Sequence, residues 1–279
     1  MSKEFNAIKL IVTGDKKETQ LTKLWLNIHN ETGCGTIAGN KIRFTDDDHD
    51  ALRRYAKSKT KMDPLFDTLS GTRLDLAGKT DDEKLAQGSV FGHLVVMATL
   101  GRATLPIDDQ EMAVPAGTVM CAPASKIRME QLAQRQIIVV ENGTLIAECH
   151  KLKVPSDWAN AVVVYRGHSE NARDVAQIIR SQPSERLGLF YDFDPQGLAM
   201  ALQHGHGQVF IPATLPLETP NKRSAFRIQR RAMKWLENLS ESSPWAKTVS
   251  VMEKKELGVT QEHMLVHGVP LIAQPVDAS

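Results

Sequence analysis

The chain has 279 residues, a formal net charge of +1, 42% hydrophobic and 24% charged residues. That is the balance of a globular protein with room for one large domain or two modest ones. It excludes wholesale disorder and a globally basic, histone-like nucleic-acid binder, while still allowing a basic face opposite an acidic site. Three scattered cysteines, Cys34, Cys121 and Cys149, include no CxxC pair. They argue against a disulfide framework or a structural zinc site and read as buried, reduced thiols. The opening residues MSKEFNAIKLIVTG lack a long apolar core or small-residue cleavage site, and no apolar run approaches a membrane span. The expectation is a cytoplasmic protein.

Residues 1–130 read as a mixed α+β region serving DNA binding or dimerisation. Ala7–Val12 is a short apolar segment. Leu21, Leu24, Trp25 and Ile28 fall at helical spacing within Thr19–His29. A glycine turn, Gly33-Cys34-Gly35, leads to the strand-like Lys41–Phe44. Thr45 with Asp48 three residues on forms a capping-box pattern opening a helix through about Lys57. Two helices with a glycine-turned strand pair would suit a small winged helix. The second half of GTRLDLAGKTDDEKLA, from Gly71 to Ala86, reads as helical. Leu94–Met97, Ala113-Val114 and Thr118–Cys121 read as short strands, with Pro115-Ala116-Gly117 as a turn.

Residues 131–279 are more regular. Ile137–Val140, Ala161–Tyr165, Leu187–Tyr191 and Gln208–Ile211 are continuous apolar runs, as expected of strands buried on both faces of a parallel sheet. Helical segments alternate with them. Ser169 can cap one, with Ala172, Val175, Ile178 and Ile179 on a single face. Asp194 can cap another, with Pro195 at its first position and Leu198 and Leu202 inward. The prediction is an α/β domain with a four-stranded parallel sheet flanked by helices and a C-terminal helical extension.

Ligands of such sheets gather beyond the carboxyl ends of the strands. Glu141 follows the first run; Asp192 and Asp194 follow the third. Residues two apart along a strand point the same way, so both aspartates can face one spot while Phe193 turns into packing. Three converging carboxylates repel one another unless a divalent cation neutralises them, and all-oxygen ligation suits Mg²⁺ or Mn²⁺. Taken singly, each is more simply read as structural: Asp194 as a helix cap, Glu141 as a surface residue. The joint spacing is what carries information.

Glu141 and Asp192-x-Asp194, so placed, resemble the Toprim fold of topoisomerases and primases. The wording VVEN (Val139–Asn142), YRGHS and YDFDPQG (Tyr191–Gly197) is most similar to the JetD/MksG nuclease subunits of Wadjet-type SMC-like anti-plasmid systems, distant relatives of the topoisomerase VI A subunit. Thr260-Gln261-Glu262 resembles a glutamine–glutamate pair late in that family, which would add Glu262 to the site. The resemblance implies a homodimer with a separately encoded SMC-like ATPase. The chain itself contains no P-loop pattern.

Relatives of topoisomerase VI cut DNA through an upstream tyrosine. Here that could only be Tyr55, in DALRRYAKSK, where Arg53, Arg54 and Lys57 could lower its pKa. Its place on the stripe with Leu52 favours inward packing, so metal-activated water is the preferred nucleophile. Asp192 and Asp194 would hold metal, and Glu141 would either hold metal or act as general base. For phosphate contacts, Asn221–Ser240 reads as one helix. Ala225, Ile228, Ala232, Trp235 and Leu239 line one side; Arg223, Arg227, Arg230 and Lys234 line the other, with Arg231 at the edge. Arg166 and His168 sit on the presumed active rim, and His204 and His206 read as turn residues. The leading expectation is a metal-dependent DNA endonuclease of a prokaryotic defence or plasmid-restriction system. The alternatives are a Toprim RNase acting on tRNA or another RNA, and a non-catalytic nucleic-acid-binding assembly subunit.

Overall fold

The computed structural model describes residues 2–69, 76–80, 93–168, 171–215, 220–239 and 241–277. The chain forms two compact units, Met1–Gly92 and His93–Ser279. The division therefore falls at residue 92 and not near 130. Of the strand-like segments between those positions, Leu94–Met97 and Thr118–Cys121 overlap strands of the second unit's main sheet, and Ala113 ends a strand of a separate hairpin.

In the first unit, helix α1 (Ser2–Thr13) is followed by strand β1 (Glu18–Gln20), helix α2 (Lys23–Thr32), strands β2 (Thr36–Ala38) and β3 (Lys41–Arg43), and helix α3 (Asp46–Thr60). Thr22 caps α2, accepting the Trp25 N–H at 3.3 Å, and Gly33 ends it at φ 71°, where the missing Cβ makes a left-handed residue cheap. Helix α2 starts later than the apolar spacing suggested, because Glu18–Gln20 pairs with β3. The Thr45–Asp48 capping box is present, with three aspartates in the first turn of α3 and Lys57 and Lys59 in the last, each sign at the end its helix dipole favours. Phe5, Ile8, Ile11, Trp25, Ile28, Ile42, Leu52 and Ala56 build the core of this unit. The β2–β3 hairpin follows α1 and α2 and precedes α3, and β1 joins it alongside β3. Gly71–Ala86 lies mostly outside the described residues.

The second unit is a mixed α/β structure. Its strands are β4 (Leu94–Thr99), β5 (Thr104–Ile107), β6 (Gln110–Ala113), β7 (Met120–Pro123), β8 (Ile137–Val140), β9 (Val162–Tyr165), β10 (Leu187–Phe190), β11 (Gln208–Pro212) and β12 (Leu271–Pro275). Strands β5 and β6 form a separate hairpin. The other seven make one sheet in the order β12-β11-β10-β8-β9-β4-β7. The four strands expected from the apolar runs lie side by side and parallel at its centre. The sheet is nevertheless larger than expected and mixed, since β12, β4 and β7 add antiparallel strands at its two sides.

All four residues of β8 and of β10 are buried. Gly188 of β10 faces the rings of Trp158 and Phe210, and a Cβ there would collide with Phe210. Those two rings pack edge to face at 5.0 Å. The helix Asn171–Ser181 buries Val175, Ile178 and Ile179 as its periodicity predicts; Ser169 lies outside the described residues. Helix Pro195–Leu202 buries Leu198 and Leu202 and is capped by Asp194. Cys34 and Cys149 are buried, whereas Cys121, on the edge strand β7, is exposed, against the expectation for that thiol. Among the described residues no helix is long and apolar enough to cross a membrane.

What positions the site is the register of β8 and β10. Ile137 pairs with Leu187 and Val140 with Phe190. The two strands therefore end level, and Glu141 leaves the sheet beside Tyr191 and Asp192.

Candidate acidic site at the strand ends

Asp192 and Asp194 are separated by Phe193, which is buried as expected. Phe193 forms an isolated antiparallel bridge with Val259, through N–H···O bonds of 2.8 and 3.1 Å. That bridge brings the distant Thr260–Glu262 segment to the strand ends. Thr260 caps the helix Gln261–Val266. The Gln261 backbone N–H donates to Asp192 Oδ1 at 2.8 Å. Its fully buried side chain donates to the Phe190 carbonyl at 2.5 Å and accepts the Asn142 N–H at 2.9 Å. One residue thus fastens the ends of β8 and β10 together. The Asn142 side chain donates to Glu262, and Thr144 Oγ1 lies 3.3 Å from the same carboxylate. Glu262 therefore joins Glu141, Asp192 and Asp194, although it lies 68 or more positions further along the chain than each of them.

Crowding and burial show in the acidities. Burial pushes the Glu141 carboxyl up; Arg166 and the Asp192 N–H oppose this, and Asp194 and Glu262 add to it. Asp192 is pushed up to about 6, mainly by burial, against the Gln261 N–H and with help from Glu141, Asp194 and Glu262. Arg166 is the cation facing this group, 3.4 Å from Glu141 Oε1.

The carboxylates gather without converging. Among the described residues, no three His, Cys, Asp or Glu side chains stand in position to hold a metal ion, contrary to the expected convergence. Glu141 leans toward Arg166, and Asp194 accepts from the Gly197 N–H at 2.8 Å and the Gln229 amide at 2.7 Å. The donor chemistry still fits a hard divalent cation. All four acids supply oxygen only, their charge exceeds that of Arg166, and burial makes the ionised forms of Glu141 and Asp192 costly until a cation relieves them.

The basic segment departs from expectation. It is two short helices, Arg223–Ile228 and Arg230–Glu237, broken at Gln229. Its inward residues are Ala232, Met233 and Leu236. Ile228 and Trp235, assigned to the apolar stripe, are 85% and 37% exposed. Arg223, Arg227, Arg230, Arg231 and Lys234 are exposed, but Arg227 pairs with Glu256 at 3.1 Å. His168 is exposed on the rim, its Nδ1 3.2 Å from the Tyr165 hydroxyl. His204 is not merely a turn residue: its Nε2 lies 3.1 Å from the buried Tyr191 hydroxyl. In the first unit, Tyr55 donates its hydroxyl to Glu31 at 2.6 Å, and burial together with Glu31 pushes its pKa up, not down. Arg53 is committed to Asp63 at 2.7 Å.

Asn142 and Gln229 were not singled out from the sequence as site residues. Asn142 was visible only as the residue after Glu141. Gln229 has no local signal, sitting inside a helical pattern.

The second unit is thus a mixed α/β domain with an acidic cluster at the carboxyl ends of adjacent parallel strands. Residues 92–273 match the family described as a domain of unknown function (DUF7281), and the chain belongs to that family. Among curated proteins, none matches the chain.

Proposed function

We propose that this protein is a divalent-metal-dependent endonuclease that hydrolyses DNA phosphodiester bonds, the nuclease component of a prokaryotic defence or plasmid-restriction system. The observation that carries this reading is the gathering of Glu141, Asp192, Asp194 and Glu262 at the level ends of β8 and β10. The resemblance of VVEN and YDFDPQG to the Toprim site of JetD-like nucleases supports it.

A bound Mg²⁺ or Mn²⁺ would neutralise charge on the phosphate and lower the pKa of the water that attacks phosphorus as the bond to the leaving sugar oxygen breaks. Asp192 and Asp194 would hold the cation, with Glu262 alongside. Glu141 either shares that task or takes the proton of the attacking water. Its raised pKa suits a base. Arg166 and His168, on the same rim, contact the scissile phosphate. Arg223, Arg230, Arg231 and Lys234 take the flanking backbone as sequence-independent contacts; Arg227, paired with Glu256, contributes less. The raised pKa of Tyr55 favours water over tyrosine as nucleophile. The homodimer and the separate SMC-like ATPase rest on the resemblance alone.

A second reading is a non-catalytic assembly subunit. It draws on the absence, among the described residues, of three acids in position to hold a metal ion, with Glu141 turned toward Arg166. Incubation of the purified protein with supercoiled plasmid, and in parallel with tRNA, in Mg²⁺ or Mn²⁺ with an EDTA control separates these readings. Metal-dependent nicking of plasmid is expected. Cleavage of RNA alone would transfer the activity to RNA, and no cleavage of either, with or without a co-purified ATPase partner, would favour the assembly role.

A further inference from the structure

The break between the two basic helices is unexpected from sequence, since neither glycine nor proline occupies it. Gln229 sits there with φ −95° and ψ 29°. Its side chain makes two bonds to the site helix Pro195–Leu202 and its cap: Oε1 accepts the Gln196 N–H at 3.0 Å, and Nε2 donates to Asp194 Oδ2 at 2.7 Å. The other oxygen of Asp194 is already fixed by the Gly197 N–H at 2.8 Å. Both oxygens of this buried aspartate are therefore held, one by its own helix and one by the basic segment.

An amide donor on a carboxylate leaves a further lone pair on that oxygen and fixes the direction in which it points. Asp192 is treated in the same manner, by the Gln261 N–H. Outer groups that orient ligating carboxylates commonly alter metal affinity by about 10–100-fold when removed.

We infer that Gln229 is a positioning residue that sets the orientation of Asp194 for cation binding and links the basic helices to the acidic site. The inference rests on the metal-site reading above. The helix break follows from the same bonds: the backbone leaves helical geometry where the Gln229 side chain reaches Asp194 and Gln196. Its role is distinct from that of Gln261, which fastens the strand ends. It also gives the basic segment a connection to the carboxylates through a single side chain.

The test is Mn²⁺ binding, read from the loss of the free-ion paramagnetic resonance signal, for the wild-type chain and for Gln229→Met, Gln229→Ala and Gln196→Ala. Gln229→Met keeps the length and removes both polar atoms; Gln229→Ala serves if Gln229→Met fails to fold. Gln196 is exposed and contributes its backbone N–H, so Gln196→Ala reports the cost of substitution near the helix start alone. The expected result is Mn²⁺ affinity about 10-fold weaker in the folded Gln229 variant and unchanged in Gln196→Ala. Equal affinity in wild type and a folded Gln229 variant overturns this inference and leaves the metal-site reading standing. A wild-type chain that binds no Mn²⁺ overturns the metal-site reading and this inference with it.

Discussion

Asp192→Asn is expected to abolish metal-dependent cleavage while leaving the melting temperature no lower than that of the wild type. The exchange is nearly isosteric and retains an oxygen for the Gln261 N–H that now reaches Asp192 at 2.8 Å. What it removes is a charge whose carboxyl is pushed up to about 6, first by burial and then by Glu141, Asp194 and Glu262. A carboxylate whose folded pKa lies above its unfolded value makes the fold less stable as pH rises through that range. Neutralising it at pH 7 therefore cannot cost stability by this route. For the chemistry the sign is opposite. Losing an anionic ligand should cost more than the roughly 10–100-fold associated with outer groups. Plasmid nicking and a thermal melt on the same preparation read both effects. Unimpaired cleavage would remove Asp192 from the site, and a large drop in melting temperature would make its role structural.

Trp158→Ala is expected to cost about 3–5 kcal/mol, the range for large aromatic truncations in cores. Trp158 is 1% exposed and packs edge to face on Phe210 at 5.0 Å. Both rings occupy the space over Gly188, in the strand that leads directly to Asp192. The neighbours are strand residues fixed by ladder hydrogen bonds, so the vacancy cannot collapse easily. Against a typical total of about 5–15 kcal/mol, that loss is a large fraction of the whole. Urea unfolding at neutral pH measures it; a shift of less than about 1 kcal/mol would mean that the ring is replaced by a rearranged core.

The parallel centre of the sheet was legible because Ile137–Val140, Val162–Val164 and Leu187–Phe190 are buried on both faces, and a doubly buried strand shows a continuous apolar run. The antiparallel additions were legible only in part: Leu94–Met97 and Thr118–Cys121 read as strands, but not as members of this sheet. Met120–Pro123 is largely exposed along its length, and Leu271–Pro275 joins β11 across more than fifty intervening residues. Nothing local encodes such pairings. The helix caps at Thr45 and Asp194 were readable, since capping is a property of neighbouring residues. The break at Gln229 was not, because its cause is a bond to Asp194, and tertiary contacts routinely override helix propensity. The break also reset the phase of the second helix, which is why Trp235 is partly exposed while Met233 and Leu236 are buried.

The acidic residues were visible as a spacing pattern, and the level ends of β8 and β10 explain why that spacing brings them together. Their present hydrogen bonds were invisible, because Arg166, Gln229 and Asn142 reach them from separate segments. The central claim is that these carboxylates hold a divalent cation. Anomalous diffraction from crystals soaked in Mn²⁺ tests it most directly. The account predicts a manganese peak bounded by Asp192 and Asp194, with Glu141 drawn away from Arg166. A peak elsewhere, or none while the carboxylates keep their bonds to Arg166, Gln261 and Gln229, would contradict it.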